Sequence, residues 1–170
     1  MTRKDETMYG LEEKRKQILQ FVDSISDETA TRKPAEDRWS VLELLEHLYL
    51  MEKLVNNQIM HTLEHGYEKD TEEKPIHLTT NRTSKVDAPE RVRPQGQFTS
   101  IEQAKDALEH SREETLFLIH NKGVELLQSR AFPHPSFGEM NLEQWIEFIG
   151  WHELRHLEQM QEVVEQVSRY

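Results

Sequence analysis

Apolar residues recur along this chain at the three-to-four-residue step of helices, in four stretches separated by polar, proline-marked segments. The first stretch is expected over residues 4–25, where Leu11, Ile18, Phe21, Val22 and Ile25 form a stripe opposite a charged face. Gly10 weakens its opening turns, and a polar connection runs from Ser26 through Pro34 to Arg38. The second helix opens at Ser40-Val41-Leu42-Glu43, a capping box in which hydroxyl and carboxylate each satisfy a backbone amide. Trp39 stands just ahead as a staple, and the pattern lasts to about Gly66, which suits a helix end. A third helix is expected from the capping box Thr99-Ser100-Ile101-Glu102 to about Lys122, turning Ile101, Ala104, Leu108, Thr115 and Leu118 inward. The fourth begins at Asn141, with Gln144 three residues on, and continues to about Ser168. The aromatic stretch 131–140, broken by Pro133, Pro135 and Gly138, reads as a loop. With no convincing strand pattern and no internal repeat, the expectation is an all-α four-helix bundle occupying residues 1–170 as one domain.

Residues 67–98 fit none of this. They are polar, carry Pro75, Pro89 and Pro94, and show no sustained period. A connection so long inside a compact domain needs a task. It can carry the chain back along the bundle, so that the second and third helices run parallel, and it can cover a site at one end.

Composition narrows the function. The chain has 170 residues and a formal charge of −11, which argues against a nucleic-acid backbone or an anionic membrane as partner. It contains no cysteine, so disulfides, thiolate ligands and a cysteine nucleophile are excluded. No segment approaches the ~20 apolar residues of a membrane span, and the first residues lack a signal peptide's apolar run. A soluble cytoplasmic protein is expected.

The chemistry concentrates near the C-terminus. Trp145, Ile149, His152, His156, Gln159 and Val163 recur at steps of 4, 3, 4, 3 and 4, a core-facing seam with two imidazoles one turn apart. Leu44, His47, Met51 and Leu54, at steps of 3, 4 and 3, place a third histidine in an otherwise apolar row of the second helix. A single inward histidine is ordinarily just hydrogen-bonded; three on two seams point to one metal ion. Three histidines leave a fourth position for water, as in catalytic zinc. A divalent ion there lowers the pKa of its water to about 7, or that of a thiol in its place. Histidine also suits nickel, iron or copper.

His152-Glu153-x-x-His156 also matches the short metalloprotease pattern. The extended form of that pattern is missing, because Gln159 and Glu162 occupy the positions of its glycine and third histidine. Glu153 is expected to pair with a basic side chain rather than act as a base, and Glu43 to cap its helix rather than hold the His47 ring. His61 and His65 read as a surface pair that complements a helix C-terminus. His77, His110 and His120 have no ligating company. His134 can approach the site only if its loop folds inward. Trp39, Trp145 and Trp151 read as packing anchors.

Three segments together resemble the DinB-like superfamily, in particular its DinB/YfiT-type metalloenzyme bundles. They are Arg38-Trp39-Ser40-Val41-Leu42-Glu43-Leu44-Leu45-Glu46-His47-Leu48, His134-Pro135-Ser136-Phe137-Gly138, and Trp145 through His152 with Arg155, His156 and Gln159. The resemblance implies a bundle with a long crossover between helices two and three. It also implies a metal triad carried by His47, His152 and His156, with zinc or nickel as the expected divalent ion. The expected activity is that of a metal-dependent hydrolase, or of a transferase using a low-molecular-weight thiol on a small-molecule substrate, in a homodimer. The alternative is a non-catalytic small-ligand or stress-response binding bundle whose metal is structural or vestigial.

Overall fold

In a computed structural model, which describes residues 8–169, helices follow one another as α1 (Leu11–Asp23), α2 (Asp27–Thr31), α3 (Val41–His65), α4 (Ile101–Asn121), α5 (Val124–Gln128) and α6 (Leu142–Val167). A two-stranded antiparallel hairpin, β1 (Ala131–His134) and β2 (Gly138–Asn141), sits between α5 and α6, pairing His134 with Gly138. The long helices α1, α3, α4 and α6 form the bundle; the hairpin and the short helices are additions to the four-helix expectation.

Local chemistry sets the helix starts. Ser40 accepts from the Glu43 amide at 3.1 Å while Glu43 accepts from the Ser40 amide at 3.0 Å, closing the expected capping box. The cap of α4 lies one residue later than expected. Ser100 accepts from Gln103 N at 3.2 Å, and Gln103 rather than Glu102 reaches back, to Thr99 N at 2.8 Å. Asn141 caps α6 through Gln144 N at 2.8 Å. The first helix is shorter than the 4–25 expectation. Tyr9 and Gly10 adopt left-handed backbone (φ 61° and 75°), so α1 starts only at Leu11; residues 4–7 of that expectation lie outside the described residues. Gly66 ends α3 for a different reason. Its φ is ordinary, but a Cβ there would stand 2.5 Å from the Thr62 carbonyl oxygen that accepts from the Gly66 amide.

Packing gives the helix directions. One apolar cluster joins Val41, Leu44 and Leu48 of α3 to Ile101, Ala104 and Leu108 of α4, Ile18 and Val22 of α1, and Leu157, Met160 and Val163 of α6. The other joins Val55 and Ile59 to Leu118 and Ile119, Leu11, and Leu142, Trp145 and Ile149. Helices α3 and α4 are therefore parallel, and α1 and α6 run the opposite way. Parallel neighbours require the chain to return along the bundle.

Residues 67–98 make that return as a pinned strap with two 3-10 turns, Ile76–Thr80 and Glu90–Val92, and buried Ile76 and Val92. Gln144 holds the backbone of Lys74 on both sides, accepting from its N and donating to its O at 3.0 Å each. Arg155 donates to the carbonyls of Thr79, Asn81 and Ser84. The buried Glu46 carboxylate accepts from three successive amides, Gln95, Gly96 and Gln97, in a turn where Gly96 has φ 76°.

Between the two apolar clusters lies a polar layer with a member from every long helix. Glu52 accepts from Arg15 Nη2 (2.9 Å), Ser111 Oγ (3.0 Å), Arg112 Nε (2.8 Å) and Thr115 Oγ1 (2.7 Å). Glu153 Oε1 accepts from Arg15 Nε and Arg112 Nη2 at 2.9 Å each. Burial alone would raise the Glu52 carboxyl, but Arg112 and Arg15 overcome it and hold the group below the usual carboxylate range.

Candidate metal centre

His47 lies two turns into α3, and His152 and His156 flank the middle of α6. Because these helices are antiparallel, the three meet in the interior at 3%, 6% and 8% exposure. One ligand nitrogen from each falls within 4.8 Å of the other two. His47 Nε2 and His156 Nε2 each stand 3.2 Å from His152 Nε2. Ligands ~2.0–2.1 Å from one ion at tetrahedral angles place their donors roughly 3.3–3.4 Å apart, so the two spacings to His152 fit a bound cation.

The outer nitrogens decide which lone pairs face the centre. His47 Nδ1 lies 2.7 Å from the Val92 carbonyl oxygen, which can only accept, so Nδ1 carries the proton and Nε2 is bare. His156 Nδ1 lies 2.9 Å from Gln159 Oε1 and donates to it, leaving its Nε2 bare as well. His152 Nε2 has at most one hydrogen to give to two bare neighbours. One hydrogen cannot fill both contacts, so at least one bare nitrogen stands 3.2 Å from His152 Nε2 with no hydrogen between them. A cation satisfies all three. Protonating a ring is also opposed: burial lowers the pKa of His47, pushes His156 down to about 3, and lowers His152 well below its ordinary value, where His156 and His47 add to the effect.

Aromatic rings wall the triad. Trp39 lies 5.2 Å from His47 between ring centroids, and Phe148 lies 5.5 Å from His152. Glu153 is ion-paired through Oε1 with Arg15 and Arg112 in the polar layer, the pairing with a basic side chain that the sequence led one to expect. Glu43 is absorbed in its capping box, as expected. His61 and His65 face solvent with ring centroids 4.8 Å apart, and His77, His110 and His120 are exposed away from the triad. The sequence did signal Gln159, one turn beyond His156 in the same seam, though not as an acceptor. Val92 carried no signal, since it reaches His47 from an aperiodic strap.

The chain matches the family model described as DinB superfamily over residues 10–160. It belongs to the DinB superfamily. Within that superfamily it is similar to the uncharacterized protein YuaE of Bacillus subtilis (strain 168), at 36% identity over 145 residues, covering 85% of this chain and 89% of that protein. The fold is similar to the crystal structure of TT2238, a four-helix bundle protein, with a TM-score of 0.61 at 22% identity, covering 93% of this chain and 98% of that one. In this DinB-superfamily chain, among the described residues, the three histidines are the cluster able to hold a metal ion. No helix among them is long and apolar enough to cross a membrane.

Proposed function

We propose that the protein is a metal-dependent enzyme in which His47, His152 and His156 hold one divalent ion, zinc or nickel, with a coordination position left for a small molecule. The observation behind this reading is that two bare nitrogens, His47 Nε2 and His156 Nε2, each stand 3.2 Å from His152 Nε2, contacts that one hydrogen cannot both fill. When bound, the ion supplies Lewis acidity and lowers the pKa of a water or thiol beside it. The chain's own residues fix the tautomers of His47 and His156 through Val92 and Gln159. Three converging nitrogens, rather than four protein ligands, support a catalytic over a purely structural ion.

The reaction we assign is hydrolysis of a small substrate or transfer to a low-molecular-weight thiol, carried out by a single-domain, cytoplasmic homodimer. The formal charge of −11 argues against nucleic acid as substrate. The test is metal content of untagged protein, followed by a screen of esters and thiol conjugates with the loaded protein. One equivalent of metal, lost on each of His47→Ala, His152→Ala and His156→Ala, is expected. Metal that survives all three changes overturns the ligand assignment. Stoichiometric metal with no turnover in either screen favours a binding module instead.

A further inference from the structure

A fourth imidazole stands beside the triad without joining it. His134 ends β1, and the hairpin is clamped onto the first turns of α6. Trp145 Nε1 donates to the Phe132 carbonyl at 3.0 Å, and the Phe132 and Trp145 rings stack at 4.3 Å with an 11° tilt. The His134 ring then packs among Phe137, Trp145 and Phe148, with centroids 4.8, 5.1 and 4.9 Å away. Phe148 is the residue that also touches His152. Trp145, Phe148 and His152 follow at steps of 3 and 4 along one face of α6, so the hairpin sets His134 one turn before the triad.

The turn also fixes the ring's tautomer. His134 Nδ1 accepts from the amides of Ser136 (3.0 Å) and Phe137 (3.3 Å), so Nδ1 carries no proton and Nε2 does. Among the described residues the ring's hydrogen bonds are both at Nδ1, and the Nε2–H of this half-buried ring reaches the surface, where an entering molecule can meet it. A donor held in one tautomer by two backbone amides, aromatic on three sides and open at the surface, is a prepared contact.

We infer that His134 is a substrate-positioning residue, whose Nε2–H donates to a carbonyl or carboxylate oxygen of a small molecule entering beside the histidine triad. This rests on the metal-centre reading above. Burial supports it, lowering the His134 pKa to about 4, so that at neutral pH the ring is an uncharged donor that does not repel a cation nearby.

Two substitutions separate the ring's two nitrogens. The amide of His134→Asn can replace Nδ1 as acceptor for the turn but does not reach the Nε2 position. The longer His134→Gln can present an N–H where Nε2 stood. The probe is acetate, titrated into cobalt(II)-loaded protein and followed in the cobalt visible spectrum. Cobalt content should be equal in all three proteins. Acetate should bind about tenfold or more weakly to His134→Asn, the scale of one hydrogen bond to a charged group, and recover towards wild type in His134→Gln. Equal acetate affinity in wild type and His134→Asn overturns the inference and leaves the metal centre standing. Loss of cobalt together with acetate in both variants overturns it too, by making His134 structural. A wild-type protein that takes up no cobalt removes the centre itself, and this inference with it.

Discussion

Glu52 is the point where the polar layer is most exposed to perturbation. It lies 1% exposed, accepts four side-chain hydrogen bonds, and balances two guanidinium groups together with Glu153. In Glu52→Ala, Arg15 and Arg112 keep one carboxylate oxygen between them, plus the carbonyls of Leu108 and Leu11. The layer would then carry a net positive charge in the interior, and Ser111 and Thr115 would lose their carboxylate acceptor. Removing one partner from a buried ion network destabilises by about 3–5 kcal/mol. For a chain of this length that lowers Tm by on the order of 10 °C. Glu52→Gln keeps shape and one acceptor oxygen, so its loss should be about half as large. The exposed pair Glu165–Arg169, 2.6 Å apart, supplies the control: Glu165→Ala should change stability by less than about 0.5 kcal/mol. Urea unfolding of the three variants, in chelator to keep metal out, measures all three values. A Glu52→Ala loss below about 1 kcal/mol at unchanged m-value would refute the reasoning, because it would mean that water reaches the layer and solvates the uncompensated charge.

Three further outcomes are expected. Glu46→Ala removes the acceptor of three strap amides, so it should cost about 2–4 kcal/mol in urea and weaken metal affinity in chelator competition by loosening the Val92 carbonyl on His47. Adding zinc or nickel at a hundred times its dissociation constant should stabilise the chelated protein by about 2.7 kcal/mol, read as a concentration-dependent Tm; a Tm indifferent to metal would speak against a site that binds only the folded state. Acid should destabilise the metal-free protein. The folded pKa values of His156 (about 3) and His134 (about 4), and the lowered ones of His47 and His152, lie below the unfolded value. The unfolded chain therefore binds more protons, and stability is complete above about pH 6.5 and falls as pH drops towards the folded values. His156 alone should contribute about 1.4 kcal/mol per pH unit in that window, a slope that His156→Gln removes in unfolding measured between pH 7.5 and 5.

The reach of the sequence follows from the range of the interactions involved. Capping is settled within four residues, so Ser40–Glu43 and Asn141–Gln144 were readable directly, and Ser100–Gln103 was misplaced by only one position. The seam through His152, His156 and Gln159 was readable because a helix converts spacing into a face. The convergence with His47 followed once two such seams were matched. Tertiary structure alone decided the rest. Whether α3 and α6 run antiparallel, which carbonyl steadies His47, and which arginines hold Glu153 all depend on residues far apart in the chain. Polar contacts of that kind leave no period. The hairpin was hidden for the same reason: Pro133, Pro135 and Gly138 mark breaks, while the strand pairing is held against a tryptophan of the next helix that local propensity does not see. Periodicity thus determined the helices and the candidate ligands, while long-range packing determined what holds them in place and what stands beside them.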